Sequence, residues 1–215
     1  MNVTTLHLVR HGETDYNRNR VVQGRGINSD LNRLGRQQAE ALAERFANAP
    51  LDAIYSSTLN RAIQTADRVA SHHARTPRYQ LANLEEMSWG IYEGEPSSEA
   101  MRQVFARFYD QWTSGVFDER IQGGESILDV QYRAMTALQH ITQAHAGGTV
   151  LVVSHGRMLR VLLASVLPEY GLERMHDIAH ANTSVNTVRY SNGLYTAEVL
   201  NDTSHLDAVE LIMVE

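Results

Sequence analysis

Val150-Leu151-Val152-Val153-Ser154-His155-Gly156 decides how this chain folds. Four consecutive apolar residues, three of them β-branched, read as a short strand buried on both faces. Gly147-Gly148 stops whatever precedes it, and residues 156–167 read as the helix that follows. A strand that ends at a His-Gly turn and re-enters as a helix is the opening of a βα unit. The pattern recurs at the N-terminus, where residues 3–9 read as a strand running into Leu8-Val9-Arg10-His11-Gly12. Between the two lie a helix over 34–46, a strand over 53–56 after Pro50, and a helix over 59–70. Ile127, Val130, Ala134, Leu138 and Ile141 share one face of a helix over 127–145. Residues 184–190 and 194–200, joined by Ser191-Asn192-Gly193, predict a hairpin. This alternation predicts an α/β fold: a three-layer sandwich with a mostly parallel central sheet flanked by helices, one domain over 1–215. Residues 95–124 break the alternation. Met101, Phe105, Phe108 and Trp112 stand there at helical spacing, a stripe that is first read as core. Its position also suits a small helical cap inserted over a crevice.

Composition removes several chemistries. The chain has no Cys, which excludes disulfides, thiolate metal sites and cysteine nucleophiles. All 19 basic residues are Arg, so a P-loop lysine and Schiff-base chemistry are excluded too. A net charge of -6 gives no support to nucleic-acid binding, and no apolar run is long enough to span a membrane. Arg10 and His11 interrupt the first apolar segment before any signal-peptide cleavage region, so a cytoplasmic location is the default expectation.

The paired His-Gly turns carry the functional signal. In open α/β sheets, ligands bind beyond the carboxyl ends of the strands. His11 and His155, delivered there from two strands, would face each other. A single histidine at a strand end is more often structural; two in matched contexts favour function. Metal binding is the competing reading, but no carboxylate or third histidine recurs at ligand spacing, so no metal is expected. Arg10 is placed to grip an oxyanion through its planar fork. Arg61 falls near the start of the helix after the second strand, where N–H groups favour anions. Alone it would be an ordinary solvated residue; with Arg10 and two histidines it completes a phosphate clamp.

Five blocks, in order, resemble the histidine phosphatase superfamily in its phosphoglycerate-mutase-like branch. They are Arg10-His11-Gly12-Glu13-Thr14 with Asn17, Gln23-Gly24, Leu31 and Gly35; Ser56-Ser57-Thr58-Leu59-Asn60-Arg61-Ala62 with Thr65-Ala66; Glu86-Met87-Ser88-Trp89-Gly90-Ile91-Tyr92-Glu93-Gly94; Gly123-Gly124-Glu125-Ser126; and Val153-Ser154-His155-Gly156. The resemblance implies that His11 attacks phosphorus and that Arg10, Arg61 and His155 hold the equatorial oxygens. It implies that Asn17 adds a neutral donor, that Glu86 is the acid/base, and that Thr14, Gln23 and Gly24 contact substrate. An imidazolium at His155, between flanking anions, would fit this scheme. Glu85 is passed over because consecutive residues rarely point the same way; Glu93 is expected to be a structural partner. His7, His72, His73, His140, His145, His176 and His180 read as surface or core residues. His205 lies in a tail, Asn201-Asp202-Thr203-Ser204-His205-Leu206, that resembles one reaching the active site in some family members.

The implied activity is metal-independent hydrolysis of a small-molecule phosphate ester through a phosphohistidine, with no cofactor. The alternative is phosphoglycerate mutase chemistry. Family mutases carry a longer insertion between the acid/base and the Gly-Glu-Ser block, and the short interval from Glu86 to Glu125 favours water as acceptor. Ile27-Asn28-Ser29-Asp30-Leu31 departs from the family's more usual Asp-Ser-Pro, which bears on loop geometry. Trp89 stands where some phosphoserine-selective members carry histidine, which argues against that specificity. A regulatory or binding module on this fold would be expected to lose the nucleophile or the acid, and both are kept. An outer strand would be the surface for a homodimer.

Overall fold

The computed structural model describes residues 2–207 and 209. In chain order the elements are β1 (Thr4–Arg10), α1 (Asp15–Arg18), α2 (Arg33–Phe46), β2 (Ala53–Ser56), α3 (Asn60–Ala70) and β3 (Arg78–Gln80). They continue with α4 (Glu99–Thr113), α5 (Ile127–Ala144), β4 (Thr149–Ser154), α6 (Gly156–Val166), β5 (Val185–Ser191) and β6 (Leu194–Asp202). The six strands form one sheet in the order β3-β2-β4-β1-β5-β6. The first four are parallel, and the β5–β6 hairpin closes the edge antiparallel to β1. The mostly parallel sheet is therefore as expected. The strand β3 has no counterpart in the sequence reading: Arg78-Tyr79-Gln80 is exposed throughout and has no apolar alternation. Pairing with β2, not burial, makes it a strand.

The central strands are apolar on both faces because helices cover both. Leu6, Leu8, Val150 and Val152 pack with Ile127, Val130 and Leu138 of α5 and Leu159 and Leu162 of α6. On the other face Val9, Ile54, Leu151 and Val153 meet Leu42 and Phe46 of α2 and Val69 of α3. Burying a leucine of this kind contributes about 1.5–3 kcal/mol. Local chemistry fixes the helix starts. Asn32 caps α2 by accepting Gly35 N–H at 2.8 Å, and Ser126 with Asp129 forms a reciprocal capping box on α5.

The aromatic stripe of α4 divides. Phe108 and Trp112 are buried in the main core and Met101 is buried outside that cluster, whereas Phe105 is partly exposed and packs edge-to-face with Trp89 at 5.2 Å. Among the described residues no helix is long and apolar enough to cross a membrane.

Candidate active site

Register brings the two histidines together. β1 and β4 are parallel neighbours with Val9 opposite Val153 and Arg10 opposite Ser154. The next residues, His11 and His155, therefore emerge abreast, with ring centroids 5.0 Å apart. Behind them Gly12 meets the first turn of α2 so closely that a Cβ would lie 2.5 Å from Gly35 O.

Hydrogen bonds set the state of each ring. His11 donates Nδ1–H to Gly12 O at 2.7 Å, which leaves Nε2 with its lone pair free. Burial, then the charges of Arg61 and Arg10, holds the His11 pKa well below the ordinary value. His155 donates Nε2–H to Ser57 Oγ at 2.7 Å, while its Nδ1 accepts from Arg61 Nε at 3.2 Å. Burial, then Arg61 and His11, lowers its pKa as well. Burial and the neighbouring cations thus work against the imidazolium expected at His155.

A pocket of about 200 Å³ opens over His11, lined also by Arg10, Asn17, Gln23, Glu86, Trp89, Arg157, Arg160 and His180. Glu86 enters it as the cap of α6. One oxygen accepts Met87 and Met158 N–H at 2.8 and 3.1 Å, and the other accepts Arg157 N–H at 3.1 Å. That helix has no cap from its own N-terminal residue, so Glu86 supplies it from another loop. Glu85 points away, bonded to Arg25 and Thr58. Glu93 accepts Trp89 N–H and Gly26 N–H at 2.8 and 2.7 Å.

The other expected residues fall in three positions. Asn17 accepts Thr14 N–H and Asn182 Nδ2 on its Oδ1, so its own Nδ2 is left for the pocket. Arg61 and His155 sit behind the pocket and do not line it. Arg61 is fully buried, donates to Ile27 O at 2.6 Å and Gly24 O at 3.2 Å, and is lowered to about 10, chiefly by burial. It stays a cation at neutral pH. Thr14 and Gly24 do not line the pocket either: the Thr14 hydroxyl donates to Gln23 Oε1 at 2.8 Å, and Gly24 holds Arg61. His205 lies beside Arg45 and Thr183, away from the pocket lining. A carboxylate–histidine trio, Glu40, Glu44 and His72, lies on the exposed α2–α3 surface, outside the pocket.

The histidine phosphatase superfamily (branch 1) family model matches residues 6–203. The chain belongs to this superfamily. A phosphoglycerate mutase-like protein 4 from Arabidopsis thaliana is 36% identical over 93% of this chain and 86% of its own. A metal-independent phosphoserine phosphatase from the same plant is 34% identical over 96% and 85%. Among solved structures, Bacillus stearothermophilus YhfR superposes with a TM-score of 0.83 at 35% identity, covering 95% of this chain and all of its own.

This member of the histidine phosphatase superfamily also contains site residues absent from the sequence reading. Arg157, Arg160 and His180 line the pocket, although His180 reads as a surface or core residue in sequence. Arg10 Nη1 donates to His180 O at 2.7 Å, so the loop before β5 fixes the clamp. Ser57 and Asn182 hold His155 and His11. Arg133 donates to Glu125 from Nε and Nη2 at 2.8 and 2.9 Å, and to Glu85 O and Glu86 O at 2.5 and 3.0 Å. A signal for both arginines exists in the sequence: Arg157 and Arg160 interrupt a mainly apolar helix in the first turn after His155-Gly156.

Proposed function

We propose that the protein hydrolyses small phosphomonoesters through a phosphohistidine on His11. The observation that carries this reading is the Nδ1–H bond to Gly12 O, which leaves a bare, unprotonated Nε2 in the pocket that Glu86 also lines. In the first step Nε2 bonds to phosphorus as the P–O bond to the alcohol breaks, and a protonated Glu86 delivers its proton to the leaving oxygen. In the second, water attacks phosphorus, Glu86 takes its proton, and the P–N bond breaks. Arg10, with Arg61 and His155 behind it, stabilises charge on the equatorial oxygens, and Asn17 Nδ2 adds a neutral donor.

Hydrolysis is favoured over transfer to a second hydroxyl by the short interval from Glu86 to Glu125, which contributes the single helix α4. Beside that helix the pocket continues into a cleft of about 340 Å³, bordered by Tyr16, Val22, Met101, Phe105 and Tyr109, that gives water access. Relatives bear both phosphatase and mutase-like names, so the test must separate the two. Incubation with a labelled ester is expected to leave acid-labile, alkali-stable phosphate on the wild type and to release inorganic phosphate. Equal labelling or full turnover by His11→Ala would show the nucleophile to be wrong. Isomerisation of a phosphoglycerate without phosphate release would establish the mutase instead.

A further inference from the structure

Arg157 is a buried cation held mainly by rings. It stands in the first turn of α6 and is 6% exposed. Its guanidinium carbon lies 5.0 Å from the ring centre of Trp112 and 5.5 Å from those of Trp89 and Tyr109. Its polar contacts are long, 3.4 Å to His176 Nδ1 and 3.4 Å to the Tyr109 hydroxyl. Among the described residues Nε has no hydrogen-bond partner and no carboxylate forms an ion pair with it. Burial, with Arg160, works against its charge, while Tyr109 and the more distant Glu86 work for it. Burying a cation carries a desolvation cost that an apolar side chain of similar length would not. Filling space would ask only for a methionine. What the charge adds is attraction to three ring faces, which a planar guanidinium can meet together.

Those rings come from two separate parts of the chain. Tyr109 and Trp112 belong to α4, whereas Trp89 follows Glu86 by three residues. Among the described residues, the hydrogen bond that ties α4 to a distant part of the chain is the one between Arg157 Nη2 and the Tyr109 hydroxyl. His176 closes the far side, stacked on Trp112 with centroids 5.7 Å apart and set edge-on to Tyr109 at 4.5 Å. Trp89 packs in turn against Phe105 of α4. The backbone of Arg157 faces the other way: its N–H donates to Glu86 at 3.1 Å, beside Met158 N–H on the second oxygen at 3.1 Å. A single residue therefore holds α4 with its side chain and Glu86 with its main chain.

Resting on the hydrolase reading, we propose that Arg157 is a positioning residue that couples α4 to Glu86. It acts through Trp89 and through its own backbone N–H, and it sets where the Glu86 carboxyl stands when the leaving oxygen takes a proton. Its removal then shows in the departure of the alcohol and not in the grip on the phosphoryl group.

The test compares two esters on the full chain. Glycerol 3-phosphate has an alkoxide that needs a proton to leave, and p-nitrophenyl phosphate has a phenolate that leaves without one. Arg157→Met is expected to lower kcat/KM about tenfold or more for the first and less than about threefold for the second. Arg157→Lys, which keeps the charge without the planar fork, should fall between. A folding defect, or loss of a phosphoryl contact, lowers both by the same factor, and an equal loss overturns the proposal.

Tyr109→Leu reaches the same cage by a second route, at a position 39% exposed where the fold tolerates change. It should give the same selective loss, and the double variant should lose little more, because both substitutions break one coupling. Fully additive losses overturn the proposal. Amide hydrogen exchange reads the coupling without turnover. Residues 86–89 and 99–113 are expected to exchange faster together in Arg157→Met and in Tyr109→Leu; faster exchange in α4 alone shows that the two parts are not coupled. The two readings fail separately. Absence of phosphate release from either ester by the wild type, with the two segments still loosening together, removes the hydrolase and keeps the coupling; a phosphohistidine with independent segments does the reverse.

Discussion

Removing Glu125 should unsettle the acid/base loop more than its position beside the pocket suggests. Arg133 is 7% exposed and reaches across from α5 to hold the Glu125 carboxylate and the carbonyls of Asn83, Glu85 and Glu86. Glu125 in turn accepts Ser88 N–H at 2.8 Å. In Glu125→Ala a buried guanidinium loses its bidentate counter-charge and a backbone N–H loses its acceptor. Breaking a buried ion pair from one side costs about 3–5 kcal/mol. The lower end applies, because Arg133 keeps its carbonyl acceptors and the Glu125 side chain is 16% exposed. About 3 kcal/mol corresponds to a Tm lower by roughly 6–12 °C in a chain of this size. Urea unfolding of wild type and variant gives the free energy, and calorimetry gives the Tm. Replacing both partners, Glu125→Leu with Arg133→Met, should recover much of the loss, because an apolar pair leaves no orphaned charge. A single-variant loss under about 1 kcal/mol, or a double variant worse than the single one, would refute the reasoning.

Further outcomes are expected. Gly12→Ala places a Cβ 2.5 Å from Gly35 O, a backbone atom that cannot rotate away, so it should destabilise by about 1–3 kcal/mol and reduce turnover; wild-type stability with full activity would contradict the close approach. Stability should fall as pH drops below 6.5. His180 has a folded pKa of about 3, so the unfolded chain takes up the proton first, with a slope of about 1.4 kcal/mol per pH unit. His180→Asn should remove one such slope from a urea-midpoint series between pH 6 and 4.5, and an unchanged slope would sink the assignment. His11 is lowered in the same direction, so kcat/KM should show no acidic limb near 6.5 from the nucleophile; a limb there that His155→Asn leaves in place would show His11 titrating normally.

The parts of this molecule legible in sequence are those built from strand ends. The apolar run of β4 and the matched Arg-His-Gly and Ser-His-Gly turns specify an in-register parallel pair, and that pair alone puts His11 beside His155. Glu86 was separable from Glu85 by the resemblance, and the structure gives the cause: Glu86 caps α6 while Glu85 is drawn off by Arg25 and Thr58. What sequence hid depends on which face of an element is covered. In sequence β3 is an unremarkable polar tripeptide, and only its neighbour β2 makes it a strand. The position of Arg157 inside an aromatic box is set by how α4 lies against α6, and no local pattern encodes that. His205 follows the same logic: Arg45 and Thr183 hold it to the α2 side of the sheet.

The same charges serve two purposes in the pocket. An imidazole nucleophile must be unprotonated, and a phosphoryl group in transit must be surrounded by positive charge. Arg10 and Arg61 meet both needs, since the fields that disfavour a proton on His11 Nε2 favour negative charge developing on phosphoryl oxygens. In the proposed reaction a dianion beside His155 would act on it in the opposite sense. Its Nε2–H is fixed to Ser57, so a proton taken up on Nδ1 would displace Arg61 Nε and turn both groups into donors towards the phosphoryl oxygens. The proposed nucleophile and clamp therefore differ by one hydrogen bond. The Gly12 carbonyl keeps His11 Nδ1 protonated and Nε2 bare, whereas Ser57 keeps His155 Nε2 protonated and reserves Nδ1. Two chemically identical rings, 5.0 Å apart, are thus held in different tautomers by the acceptor each one meets, which is what the proposed reaction asks of them.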